Sequence, residues 1–244
     1  MIHSWDERRD LAIGANTEET IAFAAENWIH QAQKSIQQRA RFAVALAGGS
    51  TPKAIYQKVT ASSAVDWEKV WLFWSDERSC PPDHPDSNYR MAMDSGFSRV
   101  PIPPQQIFRM KAERDIEKNA ADYEELIRHH LGKHLFDLVM LGVGEDGHTA
   151  SLFPDTQALA IEEQLVAANF VPKLKTHRMT LTFPCILEST KTAIYALGAP
   201  KQAILPQVLN AAIRSSWPAS RLGTPEKKAL WILDPDAAAH LQRK

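Results

Sequence analysis

Five short runs of almost unbroken apolar residues, at 42–47, 70–74, 137–141, 192–197 and 229–233, limit what this chain can fold into. A strand with one wet face alternates apolar and polar residues, whereas an unbroken run of strand length suits a strand covered on both faces. Between the runs, apolar residues recur at helical spacing. Ile21, Ala25, Trp28, Ile29, Ala32 and Ile36 do so within 17–37, and Ile116, Ala120, Tyr123, Leu126, Ile127 and His130 within 115–131. Strand and helix therefore alternate as in a parallel α/β sheet. Residues 178–183 alternate more and predict a half-exposed strand, and Thr51-Pro52 opens a helix after the first run. The proline-rich stretches at 81–82 and 101–104 are too short for interdomain linkers and are expected to be loops.

With 244 residues, 44% of them hydrophobic, the chain can bury a sizeable core, and one domain over 1–244 is expected. Lys and Arg total 28 against 29 Asp and Glu, so no long-range field favours nucleic acid or an anionic membrane, and a phosphate would need a local basic site. Cys80 and Cys185 stand far apart without metal-ligand spacing, which suggests neither disulfide framework nor zinc site. No metal and no cofactor is expected. The first residues show no apolar stretch of signal-peptide length, and no uncharged run reaches bilayer-spanning length, so a cytoplasmic protein is expected.

Ligands of open α/β sheets collect at the carboxyl ends of strands, and three such places are chemically loaded. In Gly48-Gly49-Ser50-Thr51-Pro52, two glycines let backbone approach a ligand, Thr51 can cap the following helix, and free N–H groups suit a phosphate; an ordinary strand-to-helix turn is the competing reading. Trp74-Ser75-Asp76-Glu77-Arg78 places two carboxylates and a guanidinium beyond an apolar strand. Arg78 can orient a substrate oxygen there, and Asp76 can orient hydroxyls or Arg78 itself, against the alternative of a solvated loop. Gly142-Val143-Gly144-Glu145-Asp146-Gly147-His148 contains the spacing of a dinucleotide fingerprint, but no second strand ending in an acidic residue follows at the required distance. Instead it presents Asp146 and His148 together. An imidazole is a candidate general base, and a nearby carboxylate can fix its tautomer. Arg178 and Lys201 are later cations that suit the same anionic ligand if they converge on the first glycine turn.

Taken in order, Ala47-Gly48-Gly49-Ser50-Thr51-Pro52, Trp74-Ser75-Asp76-Glu77-Arg78 with Ser87-Asn88-Tyr89, residues 142–154, Arg178-Met179-Thr180-Leu181 and Lys201 resemble the 6-phosphogluconolactonase family over most of the chain. The resemblance implies a doubly wound, mainly parallel sheet flanked by helices, the fold shared with glucosamine-6-phosphate deaminase and ribose-5-phosphate isomerase. It implies hydrolysis of 6-phosphogluconolactone in the oxidative pentose phosphate pathway. His148 would be the general base and Asp146 its partner. Gly48, Gly49, Ser50 and Thr51 with Arg178 and Lys201 would bind phosphate, Arg78 would lie near the lactone supported by Asp76, and Gly144 would belong to the substrate site. The expected partner is a small sugar-phosphate lactone, with a monomer as the default assembly and a weak dimer as the alternative.

Two other functions compete. A glucosamine-6-phosphate deaminase shares the Asp-Gly-His core but resembles a pattern with Asn-Glu-Pro shortly after it, where this chain has Ser151-Leu152-Phe153-Pro154. A sugar-phosphate sensor would pair such a pocket with a helix-turn-helix module, for which the short lead before the first core strand leaves no room. There is no nucleophile elbow, so direct attack by water is favoured over an acyl-enzyme.

Overall fold

A computed structural model describes residues 2–213 and 215–242. In chain order the elements are β1 (Ile2–Ser4), β2 (Arg9–Ile13), α1 (Thr17–Arg39), β3 (Phe42–Leu46), α2 (Ser50–Thr60), β4 (Val70–Trp74), β5 (Asp76–Arg78), α3 (Asn88–Asp94), α4 (Ile116–Leu131), β6 (Leu138–Gly142), β7 (Val166–Val171), β8 (Thr176–Leu181), α5 (Phe183–Glu188), β9 (Thr192–Ala196), α6 (Ile204–Asn210), β10 (Ala229–Leu233) and α7 (Pro235–Ala238). Seven strands form a sheet in the order β1-β2-β10-β9-β6-β3-β4. Every pairing in it is parallel except β1 with β2.

The five apolar runs all became strands of this sheet, and β3 and β9 are buried at every residue. Helices explain that burial. α1, for example, turns Ala24, Ala25, Trp28 and Ala32 inward, while Asn16 caps its amino end by accepting from the Glu19 N–H at 2.9 Å. The chain leaves β3 toward β4 on one side and later enters β6 on the other, then continues outward through β9 and β10. The crevice beyond the carboxyl ends of β3 and β6 is therefore the topological switch point of a doubly wound sheet.

A second sheet, β5-β8-β7, is antiparallel and was not expected. Residues 76–78, anticipated as a loop, pair with β8 and place Asp76 opposite Thr180 and Arg78 opposite Arg178. The link between the sheets is Ser75, whose N–H donates to the Leu46 carbonyl at 2.8 Å while its own carbonyl accepts from Leu181 N–H at 2.8 Å. Such a strand is hard to read in advance because a charged triplet has no apolar periodicity. The half-exposed strand foreseen at 178–183 is β8, which starts at Thr176 and ends at Leu181; Phe183 already belongs to α5. β2 also escaped notice, since Arg9 and Asp10 interrupt its pattern; Arg9 is buried through bonds to Asp6 and to the Val208 carbonyl. α2 begins at Ser50 with Gly49 as its cap at φ 108°, so Thr51 lies inside the first turn and does not cap it.

Candidate active site

An open cleft of about 540 Å³ lies at the switch point. Every residue singled out from the sequence lines it: Gly48, Gly49, Ser50 and Thr51 after β3, Asp76 and Arg78 on β5, Gly144, Asp146 and His148 after β6, Arg178 on β8, and Lys201 after β9. The segments after β3, β6 and β9 converge because parallel strands aim their following loops at one edge of the sheet, while Asp76, Arg78 and Arg178 reach the cleft from the antiparallel β5–β8 pair that Ser75 joins to that edge.

His148 and Asp146 form a hydrogen-bonded pair, with His148 Nδ1 2.5 Å from Asp146 Oδ1. Local backbone holds this geometry. Gly144 N–H donates to the His148 carbonyl at 2.9 Å, and Gly147 N–H to the Gly144 carbonyl at 3.0 Å, closing a tight loop. A Cβ on Gly144 would lie 2.1 Å from His148 Nδ1, so this position has room only for glycine while the pair is formed. After the loop the chain passes through turns to a short 3-10 segment, and no α-helix opens as a dinucleotide site requires. Phe153 stacks on the imidazole, with centroids 3.9 Å apart and an 18° interplanar angle. The ring is thus clamped on one face by an aromatic and oriented at Nδ1 by a carboxylate, which leaves Nε2 as its free nitrogen.

Lys173, in the hairpin between β7 and β8, donates to Asp146 Oδ2 at 2.8 Å. Burial would raise the Asp146 carboxyl, but hydrogen bonds from Lys173 and His148 outweigh it and bring its pKa down to about 2. Asp146 is therefore a fixed anion at neutral pH. Nothing in the sequence pointed to Lys173, since only the fold of the hairpin brings it 27 positions back to the loop.

Of the two parts foreseen for Asp76, orienting Arg78 has no hydrogen bond behind it. Its Oδ2 accepts from Ser151 Oγ at 2.7 Å and its Oδ1 from Asn88 Nδ2 at 3.3 Å, so its bonds run to these two residues and not to Arg78. Arg78 donates instead to the Asp86 carbonyl. Glu77, passed over in the sequence, is the anchor of this corner. Its buried carboxylate accepts from the N–H groups of Arg78, Asn88 and Tyr89, each at 2.8 Å, and from Ser87 Oγ at 3.0 Å. Burial pushes the Glu77 carboxyl above its usual range in spite of these bonds. Its cost is offset by tying β5 to the start of α3. Arg178 faces Arg78 across the β5–β8 pair, and burial, followed by the Arg78 charge, lowers its pKa. Two guanidiniums held side by side in a cleft favour an anionic ligand.

Asn88, Ser151, Phe153, Lys173 and Tyr195 also line the cleft without having been named as ligand groups. Among the described residues, no group of three or more His, Cys, Asp or Glu side chains is placed to hold a metal ion, and no helix is long and apolar enough to cross a membrane.

The sequence model for the family described as glucosamine-6-phosphate isomerases/6-phosphogluconolactonase matches residues 15–231. The 6-phosphogluconolactonase of Chlamydia muridarum is 41% identical over 235 residues, which span 96% of this chain and 91% of that protein. The solved 6-phosphogluconolactonase from Trypanosoma brucei superposes with a TM-score of 0.84 at 27% identity, covering 98% of this chain and 100% of that one. A monomeric glucosamine-6-phosphate deaminase shares the fold, with a TM-score of 0.80 at 20% identity over 95% of this chain and 99% of its own. With its cleft at the switch point and its His-Asp pair beyond β6, the chain belongs to the family of glucosamine-6-phosphate isomerases and 6-phosphogluconolactonases.

Proposed function

We propose that His148 is the general base of a 6-phosphogluconolactonase, with Asp146 holding its tautomer and the residues 48–51, Arg178 and Lys201 receiving the phosphate. The activity is that of a lactone-hydrolysing enzyme of the pentose phosphate pathway, as the named relatives and the family indicate. The observation that carries the residue roles is the 2.5 Å bond between His148 Nδ1 and Asp146, made within the same cleft as the glycine turn and the cations.

The neutral imidazole donates Nδ1–H to Asp146 and so presents the Nε2 lone pair to a water molecule. Nε2 takes a proton as the water oxygen bonds to the lactone carbonyl carbon, and the carbonyl electrons move onto oxygen. Arg78 supplies positive charge for this developing oxyanion. Collapse of the tetrahedral species breaks the ring C–O bond, and the proton on Nε2 passes to the departing ring oxygen. Asp146 stabilises the imidazolium formed in between. The product acid then loses its own proton to solvent.

That proton is the readout. Acid release from freshly generated 6-phosphogluconolactone, above spontaneous opening and compared with unphosphorylated gluconolactone, is expected to show phosphate-dependent acceleration. His148→Asn should lower turnover by about 10²- to 10⁴-fold with inorganic phosphate binding retained. Near-normal turnover in this variant excludes the base assignment.

A further inference from the structure

Arg78 at Nε, Arg178 at Nε and Tyr195 at its hydroxyl are buried polar atoms of cleft-lining residues with no partner among the described residues. Each arginine has further N–H groups, so one unpaired Nε says little. Tyr195 has a single polar side-chain atom and is only 3% exposed. A buried hydroxyl without a partner destabilises a fold, and phenylalanine would keep the same ring packing without that cost.

The position of Tyr195 gives the hydroxyl a role. It is the next-to-last residue of β9 and stands opposite Gly142 on β6, where a side chain would meet open space. β9 packs against α2, whose Tyr56 already donates to the Ala47 carbonyl at 2.8 Å, just ahead of the glycine turn. Burial pushes the Tyr195 phenol far up, so it stays protonated and can donate throughout the neutral range. The amino end of α2 and Lys201, which follows β9, line the same cleft and offer donors. A phenol that can donate alongside them suits a ligand atom that only accepts, as a phosphate oxygen does.

We infer that the Tyr195 hydroxyl is a phosphate-binding donor that shares the phosphoryl group of the substrate with the 48–51 turn and Lys201, and that it contributes to preference for phosphorylated over neutral lactones. This rests on the reading of that turn and Lys201 as the phosphate cradle.

The test is Tyr195→Phe, compared with the unaltered protein for inorganic phosphate binding by calorimetry, for KM and kcat on 6-phosphogluconolactone, and for KM on gluconolactone. Phosphate Kd should rise about tenfold or more, the size of one charge-assisted hydrogen bond. KM for the phosphorylated lactone should rise in parallel, with a smaller change in kcat. The phosphate-free melting temperature should be unchanged or higher; a lower one means the hydroxyl has a partner within the fold and overturns the inference. An unchanged phosphate Kd also overturns it, and if KM for gluconolactone rises at the same time the hydroxyl serves the sugar ring instead. If the unaltered protein binds phosphate but hydrolyses no lactone, the functional reading fails while the phosphate arm still decides Tyr195. If it binds no phosphate, this inference fails.

Discussion

Replacing Gly144 by alanine tests whether the His148–Asp146 geometry is what the reaction uses. The built Cβ would lie 2.1 Å from His148 Nδ1, 2.2 Å from Cε1 and 2.8 Å from Asp146 Oδ1. Gly144 does not adopt positive φ, so the backbone accepts alanine and the conflict falls on the imidazole and the carboxylate. The ring has little room to retreat, because Phe153 stacks at 3.9 Å. Relief requires displacement on the order of 1 Å, and a misplacement of that size lowers rates by about 100-fold. In activation free energy that is about 2.7 kcal/mol. The assay is acid release from freshly made 6-phosphogluconolactone in a pH-stat, with spontaneous opening subtracted. Inorganic phosphate binding, which the proposed function assigns to other loops, is expected to persist and shows that the variant is folded. Near-wild-type kcat from a variant that binds phosphate would refute the argument, because the pair cannot survive a methyl group at that distance.

Lys173→Met removes one of three donors that hold the Asp146 carboxyl at about 2, the others being the ring and the backbone N–H of His148, so its titration should move up toward the ordinary 3.8. Carboxyl-carbon NMR reads this directly, and a value still near 2 assigns the depression to His148 alone. Because the folded-state value lies below the unfolded one, the contribution of ionised Asp146 to stability is complete above about 3.8 and is lost as pH falls through about 2. Acid unfolding of Asp146→Asn should accordingly lack that component of the pH dependence. Glu77→Gln places an amide N–H₂ among the donors of Arg78, Asn88, Tyr89 and Ser87; a loss of about 2 to 4 kcal/mol in denaturant unfolding is expected. Unchanged stability would show that the Glu77 carboxylate does not anchor the start of α3.

Much of the sheet was legible because burial on both faces leaves a local mark. A run such as Phe42-Ala43-Val44-Ala45-Leu46 has no polar residue to face water, so it must lie inside, and the loop after it must lie at a sheet edge. Most of the candidate site residues were legible for the same reason, since they follow such runs closely, whereas Arg178 lies within β8 and was legible only as a cation in the alternating stretch. Gly144, Asp146 and His148 sit within five consecutive positions, where local backbone decides their geometry. The second sheet left no such mark. Asp76-Glu77-Arg78 is a strand only because β8 offers it a partner about 100 residues later, and strand pairing over that distance has no local periodicity. The same holds for the groups that tune the site. Lys173 reaches Asp146, Ser151 reaches Asp76, and Tyr195 comes to lie beside Gly142 through contacts between elements remote in the chain. Sequence by itself determined which strands are buried and which loops border the cleft, because hydrophobic patterning and short-range backbone geometry are local. Tertiary structure alone decided which side chains hold those groups in charge and orientation, because hydrogen bonds and desolvation depend on distance in space.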